Sequence, residues 1–489
     1  MEENKLREYQ ERFVNNIRLS LFQNQKIIAC MATGGGKTIV FLAISQMALK
    51  RKKTVLIITE STKIFPQIAN SCKKAIEINA GIKNVPFITE SVYVAMAQTL
   101  LRRSEMIDYF GAFGKELIII TDEAHIGTPT KLLSQFPNAY HIGFTATPDF
   151  RAAKHLPILY NDIVIGSQPS ELVESGYLAS YTHLARTKAD LSHLQKNSMG
   201  DFSEHSQELA FEKPVVYEGL INDLKTISYK KCLIFTASIG HCERLTEQLN
   251  NSGFCSVAVH SLVSSETINL FTEGEINICV SVGMLTKGFD YPIIDLIILQ
   301  RATTSLPLYL QMCGRASRIS SGKTGFTVLD YGENYKRHQL WIMDRDWSVM
   351  WKGKLKEKEG VAPIKDCPAC GYLMPVNIKI CPGCGHVFEP KKNNSPEPET
   401  ELVDVTKEYN LLKGRKISSL TPKELVAYVR VNNKKPFGLR IAKAKYQSGQ
   451  KDFLKDYAKN MGYKPGFLPI VIHELANESQ IEFHDITIR

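Results

Sequence analysis

Residues 32–38 read ATGGGKT directly after the apolar run KIIAC at 26–30. From Thr33 onward, glycines at 34, 35 and 36 remove side chains where backbone N–H groups must approach phosphate oxygens. Lys37 opens a helix whose positive dipole end faces the same anion. Lys37 would then contact the β and γ phosphates of a nucleotide, and Thr38 would offer a hydroxyl to Mg²⁺. Met31 stands where the strict G-x-x-x-x-G-K-[ST] pattern places its first glycine. Further on, DEAH at 122–125 follows the apolar run ELIIIT. A carboxylate at a strand end suits Mg²⁺, which assigns the ion to Asp122, while its neighbour Glu123 orients and deprotonates a water. Gln311, Arg315 and Arg318 lie in QMCGRASR at 311–318, with the arginines three apart and therefore on one helical face. Guanidinium groups there would stabilise charge on a transferred phosphoryl group. These are complementary parts of one ATP-hydrolysing site, and their order along the chain gives each part meaning.

Elements to position them are legible upstream and downstream. KIIAC, TVLIIT (54–59), ELIIIT (116–121) and HIGFT (141–145) read as buried strands of a first lobe. KCLIF (231–235), SVAVH (256–260), INICVSV (276–282), LIILQ (296–300) and FTVLD (326–330) read as strands of a second. Alternation with helical patterns predicts an α/β fold with parallel sheets, and ligands of such sheets collect at the carboxyl ends of the strands. The first lobe is expected over residues 1–150 and the second over 151–345. PDFRAAKHLP (148–157) reads as a hinge, and 187–213 as a polar insertion of helix and loop. Trp341, Trp347 and Trp351 suit a linker helix packed back onto the lobe better than a base-stacking surface. A site shared by two lobes would hydrolyse ATP only when they close.

With those residues in place, the chain resembles a superfamily 2 helicase of the DEAH-box type, which implies tandem RecA-like lobes. LREYQ (6–10) is similar to the family's adenine-recognition segment and implies contacts from Arg7 and Gln10. TATP (145–148) matches the coupling segment, implying that Thr145 and Thr147 link hydrolysis to strand movement. TESTKIFPQ (59–67), AMAQTL (95–100), LIFTAS (233–238) and GMLTKGFDYP (283–292) sit where the family grips the nucleic-acid backbone. Contacts are implied for Lys63, Thr99, Thr236 and Thr286, with Gly288 and Asp290 facing the nucleotide. The segment at 59–67 lacks the family's usual Pro-Thr-Arg start. MATGGGKT, KGFDYP, SLPLYLQMCGRASR and GKTGFTVLDYGEN are most similar to bacterial RadD-type and phage- or prophage-encoded DNA helicases.

Beyond a linker at 346–366, CPACG (367–371) and CPGCG (381–385) hold Cys367, Cys370, Cys381 and Cys384. Two such knuckles suit a tetrahedral ion, and zinc is the reading, with iron and a disulfide pair as the alternatives. Four sulfurs leave no open coordination position, so the metal in a ribbon over 367–390 would be structural. A flexible linker, 391–400, leads to a module over 401–489. Lys413 to Lys464 carries fourteen Lys and Arg against three acids, which accounts for a net charge of +10. Lys451, Lys455 and Lys459 fall on one helical face, with Phe453, Leu454, Tyr457 and Met461 opposite. Phe437, Tyr446, Tyr463 and Phe467 interleave with the charges, a pattern suited to phosphate contacts and base stacking. The alternative is a small helical domain that its lysines merely solubilise.

The remaining seven cysteines lie among apolar neighbours, which suits reduced thiols. A charged start and the lack of a long apolar run predict a cytoplasmic protein. The reading is an ATP-dependent DNA helicase or translocase using ATP, Mg²⁺ and Zn²⁺, with single-stranded or branched DNA as partner. Three alternatives stay open: RNA as substrate, a translocase that remodels protein–DNA complexes, and a scaffold that uses ATP only as a switch.

Overall fold

The computed structural model describes residues 6–352, apart from 63, 73, 127–128, 150–152, 187–188, 264–265, 275, 284 and 286–290. Beyond 352 it describes 364–366, 373–375, 380, 385–387 and 403–476, apart from 433–434 and 464–466. The chain forms two compact units: residues 1–181, 189–332 and 341–355 make the first, and 182–188, 333–340 and 356–489 the second.

In the first unit, seven strands form one parallel sheet: β1 (Lys26–Cys30), β2 (Thr54–Thr59), β3 (Ile76–Ile78), β4 (Val92–Met96), β5 (Leu117–Thr121), β6 (Tyr140–Thr145) and β7 (Asp162–Ile165). Their order is β3-β4-β2-β5-β6-β1-β7. Near-continuous Ile, Val and Leu buries both faces, as a parallel sheet covered by helices requires. That order makes β5, β6 and β1 neighbours, with Thr121 opposite Gly143 and Thr145 opposite Cys30. The segments following them are the DEAH, TATP and glycine-rich stretches, so three motifs distant in sequence meet at one edge. Helix α1 (Glu8–Gln23) precedes the sheet, and α2 (Lys37–Leu49) follows the glycines.

One boundary differs from expectation. β7 pairs with β1 from Ile27–Asp162 to Cys30–Ile165, so the first sheet runs past residue 150 and takes in chain beyond the expected hinge.

After β8 (Ser180–Ala185) come β9 (Cys232–Thr236), β10 (Ser256–Val259), β11 (Ile278–Ser281), β12 (Leu296–Gln300) and β13 (Gly325–Asp330). β10-β11-β9-β12-β13 pair in parallel in that order. The polar stretch before β9 is built into this lobe. Ala302 N–H donates to Gln207 Oε1 at 2.9 Å, and Thr303 Oγ1 donates to Asp201 Oδ2 at 2.8 Å. Phe211 at the end of the helix Glu204–Phe211 is fully buried.

All three tryptophans are buried. Trp341 packs on Tyr181 and Phe326, with ring centroids 5.5 and 5.4 Å apart, as expected for a return onto the second lobe. Trp351 instead enters the core of the first lobe beside Ile28, Leu56 and Ile119. Between them, Arg345 N–H donates to Gln168 Oε1 at 2.8 Å and Gln168 Nε2 returns a bond to Arg345 O at 3.1 Å.

The second unit holds the helices Pro422–Asn432, Lys435–Gln447, Lys451–Met461 and Phe467–Ala476 around Leu425, Val429, Ile441, Leu454 and Tyr457. A Cβ on Gly438 would lie 2.3 Å from Val429 Cγ2 and 2.6 Å from the Tyr457 hydroxyl, so only glycine lets these helices approach. Val403–Asp404 pairs antiparallel with Ala185 and Leu184 of β8. Strands Ile364–Asp366 and Leu373–Pro375 pair antiparallel, and Ile380 bridges Val387. Among the described residues, no helix is long and apolar enough to cross a membrane.

Candidate nucleotide site between the lobes

At the end of β1 the chain turns through Gly34 (φ 84°) and Gly36 (φ 88°) before Lys37 starts α2. Left-handed backbone at these positions favours glycine. A Cβ on Gly36 would also sit 2.6 Å from Gln10 Nε2 and would have to displace that amide from the turn. Gln10 Oε1 accepts from Arg7 N–H at 3.0 Å, and its amide donates to Gly35 O at 3.2 Å. Tyr9 donates its hydroxyl to the same carbonyl at 2.8 Å. Arg7, Tyr9, Gln10, Gly34, Gly35, Gly36 and Ile39 line a pocket open to solvent.

Lys37 Nζ donates to Glu123 Oε1 at 2.7 Å. Burial pulls the Lys37 ammonium toward neutrality, but the Glu123 and Asp122 carboxylates more than offset this and raise its pKa. Glu123 adopts φ 48°, a left-handed conformation that costs a residue with a Cβ roughly 1–2 kcal/mol. His125 Nδ1 lies 3.2 Å from Glu123 Oε2 and 3.0 Å from Thr145 Oγ1. Thr145 Oγ1 also accepts from Thr147 N–H at 3.0 Å. Lysine, glutamate, histidine and the two threonines thus form one connected polar chain across the ends of β1, β5 and β6. Asp122 is buried at the end of β5, its N–H donating to Ile58 O at 3.0 Å.

From the second lobe, the helix Leu306–Gly314 ends against this turn. A Cβ on Gly314 would lie 2.7 Å from Thr33 Cγ2, and one on Gly34 would lie 2.8 Å from Ser317 Oγ and 3.8 Å from Arg318 Cγ. Gln311 is buried within this helix. Burial draws the Arg315 pKa down and the nearby Glu123 carboxylate opposes it, placing this guanidinium in the field of the Lys37–Glu123 pair. Arg318 is also drawn down by burial.

Sequence reasoning missed Tyr177. Its ring lies 4.7 Å from that of Tyr9, and the Arg7 guanidinium sits 5.2 Å from its centroid. Nothing in its sequence neighbourhood marks it. His125 was visible in DEAH, but only the adjacency of β5 and β6 makes it a link to Thr145.

The residues expected to touch nucleic acid fare unevenly. Thr99 is partly exposed in the helix Ala97–Leu101. Thr236 is fully buried, its hydroxyl donating to Ser238 O at 3.4 Å, which removes it from any ligand in this conformation. In the second unit, Lys451, Lys455 and Lys459 are exposed on one helix, with Phe453, Leu454 and Tyr457 buried opposite. The aromatics between the charges differ from expectation. Phe467 is buried in the helical core and Phe437, Tyr446 and Tyr463 are half-buried against it, with Tyr463 and Phe467 rings 4.2 Å apart, so each also holds the module together. Lys63, Thr286, Gly288, Asp290, Cys367, Cys370, Cys381 and Cys384 lie outside the described residues.

Comparison with known proteins divides along the same line as the site. The family model of the type III restriction enzyme res subunit matches residues 3–150, and that of the helicase conserved C-terminal domain matches 215–320. A 51.5 kDa protein of a Lactococcus phage is 27% identical over 400 residues, covering 79% of this chain and 84% of its own length. A protein named as an ATP-dependent helicase in Saccharomyces cerevisiae is 28% identical over 369 residues, 67% of this chain. One named as a helicase in a Sulfolobus islandicus filamentous virus is 24% identical over 341 residues, 63% of this chain. The chain spans 51% and 60% of the lengths of these last two. Among solved structures, a fragment of an HsdR subunit of a type I restriction enzyme from Vibrio vulnificus shares the fold with a TM-score of 0.56 at 21% identity, covering 69% of this chain and 66% of that one. The res-subunit model on the first lobe and the helicase model on the second, each over the half-site that its motifs build, together with the helicase-named relatives, support an ATP-hydrolysing helicase of superfamily 2.

Proposed function

We propose that this chain is a DNA motor that couples ATP hydrolysis between its two lobes to movement along, or separation of, DNA strands. The observation that carries the reading is the polar chain Lys37–Glu123–His125–Thr145–Thr147, closed from the other side by the segment bearing Arg315 and Arg318. Bound nucleotide would place its base by Arg7, Tyr9 and Gln10 and its phosphates over the glycine turn. Lys37 would exchange Glu123 for the β and γ phosphates, which frees the carboxylate to orient and deprotonate water. Thr38 and Asp122 offer hard oxygen ligands at the glycine turn and the end of β5 and would hold Mg²⁺, which supplies neutralisation of phosphate charge. Gln311, Arg315 and Arg318 would meet the γ phosphate from the second lobe. Loss of γ-phosphate charge would be felt at Glu123 and relayed through His125 and Thr145 to the TATP segment.

In this reading DNA backbone contacts come from the lobes and from the lysine face of the second unit. Zinc would be held by Cys367, Cys370, Cys381 and Cys384. The paired strands 364–366 and 373–375 and the Ile380–Val387 bridge flank the two cysteine pairs as a ribbon needs. In motif wording the chain resembles bacterial RadD-type and phage- or prophage-encoded DNA helicases.

The test is the ATPase rate with single-stranded DNA, duplex DNA, forked DNA and RNA in parallel. DNA is expected to stimulate turnover by at least about tenfold more than RNA at equal nucleotide concentration. Stimulation by RNA alone would replace this reading with an RNA helicase, and a rate indifferent to every nucleic acid would leave the switch scaffold.

A further inference from the structure

Lys323 lies five residues beyond Arg318, in a turn that none of the nucleotide motifs includes. Its ammonium is surrounded by four backbone carbonyls. It donates to Arg318 O at 3.0 Å and to Pro292 O at 2.9 Å, and also reaches Ala316 O and Ile294 O. Three N–H bonds are thus shared among four acceptors, two on each of two separate segments. One segment carries the arginines. The other begins at Pro292, the last residue of KGFDYP, and leads into β12. We propose that Lys323 is a positioning residue for ATP hydrolysis: its ammonium fixes the backbone from which Arg318 reaches the nucleotide and ties that backbone to the end of KGFDYP.

The geometry supports this at several points. Arg315–Arg318 follows the end of a helix, where carbonyls lack the next turn's N–H partners. Ser317 O is taken by Ala179 N–H at 2.8 Å, so the carbonyls of three successive residues are all engaged, two of them by Lys323. Arg318 has a long, flexible side chain, and a finger that must meet a phosphate within a few tenths of an ångström needs a fixed base. The same device recurs elsewhere without any catalytic motif. Lys231 Nζ donates to Phe271 O, Gly274 O and Ile276 O at 2.8, 3.1 and 2.7 Å, closing a loop of the second lobe. Lys231 is therefore the internal control for a lysine that only staples backbone.

Lys323→Met should lower kcat by roughly tenfold at saturating ATP and DNA while leaving the equilibrium affinity for ATP within about twofold, because ATP binds chiefly to the first lobe. In an Arg318→Ala background the same substitution should cost less than about twofold, since a residue acting through another has nothing left to position. Lys231→Met should lower Tm yet leave kcat per active molecule unchanged, and Lys323→Arg, which keeps the charge, should recover most of the loss. Equal losses in the wild-type and Arg318→Ala backgrounds, or identical behaviour of Lys323→Met and Lys231→Met, overturn the proposal. Should Lys323→Met not fold, the wild-type pH profile decides. Burial pushes the Lys323 pKa down to about 8, opposed by Asp295, with Arg318 and the Lys230 ammonium on Gly322 O as the other charged groups facing this turn. Turnover at saturating DNA should fall as pH rises through that value, and the fall should be absent from Lys323→Arg. A wild-type profile matching that of Lys323→Arg above pH ~8 overturns the proposal equally. Loss of DNA stimulation in the wild-type protein would instead overturn the DNA-motor reading and leave Lys323 testable on basal turnover.

Discussion

The two lobes assemble their halves of the nucleotide site by different means. In the first, the working side chains stand at the ends of three adjacent parallel strands and touch one another directly, from Lys37 through Glu123 and His125 to Thr145. In the second, the arginines stand beyond a helix end, and what holds them is backbone: Ala179 on Ser317 and Lys323 on Ala316 and Arg318. The first half-site is fixed by sheet register, which changes only if strands slip. The second is fixed by loop carbonyls and by its seat on the glycine turn, which change when the lobes part. Under the proposed motor function this asymmetry would let a rigid cradle keep nucleotide while a movable finger decides when it is cleaved.

The comparison breaks first at the site itself. Lys37→Ala should abolish hydrolysis and weaken ATP binding, whereas Glu123→Gln should keep ATP binding and lower turnover by at least about a thousandfold. Near wild-type turnover of Glu123→Gln with DNA would remove Glu123 as the general base. Arg315→Ala should lower kcat by about 10³ while leaving ATP affinity within a few fold, as a group that acts mainly in the transition state does. If it instead lost ATP affinity and kept kcat, the second lobe would be part of the cradle.

A smaller effect is expected along the polar chain. His125→Ala should leave basal ATPase within about fivefold but reduce stimulation by DNA more strongly, since it links Glu123 to Thr145 without reaching the phosphates. Equal loss in both rates would place His125 in the chemistry. Deleting 401–489 should leave basal ATPase intact and flatten the slope of log affinity for DNA against log salt by roughly 0.7–0.9 for each DNA phosphate no longer neutralised. An unchanged slope would mean that the lysines of the second unit only solubilise it.

The smallest difference is one of pH. Each lobe buries a neutral histidine: His141 in the first, its pKa pushed down to about 4, and His241 in the second, pushed down to about 3, both by burial. A depressed histidine pKa means that the unfolded chain takes up protons first, so stability is full above about 6.5 and declines as pH falls below it. The decline should continue to lower pH for the second lobe. Urea melts at pH 7 and 5 check this, and His141→Gln or His241→Gln should each flatten part of the dependence.

Much of the fold was legible because strand cores are written in apolar residues. β1, β2 and β12 lie where KIIAC, TVLIIT and LIILQ place them, to the residue. β3, β4, β7 and β8 were missed. β3 and β7 have only three and four residues, flank the sheet and are only partly buried, so each is too brief for a strand period to show although both are rich in Ile and Val. The aromatics of the second unit were misread for a related reason. Interleaving with lysines along the chain says nothing about whether Phe467 and Tyr463 face solvent or each other; Phe467 is buried, with the half-buried Tyr463 ring against it.

The sequence alone determined the chemistry available: which residues can cradle phosphate, hold a cation, take a proton or neutralise a γ phosphate. Those abilities are properties of side-chain type and of local spacing within one turn, and neither needs a fold to be read. Only the tertiary structure decided who meets whom. Strand order brings DEAH beside TATP, lobe packing sets Gly314 against Thr33, and a lysine with no assigned role in the nucleotide site closes on the carbonyls of the arginine segment. Such meetings depend on backbone positions far apart in sequence, and carbonyl oxygens, which every residue carries, leave no mark in the letters.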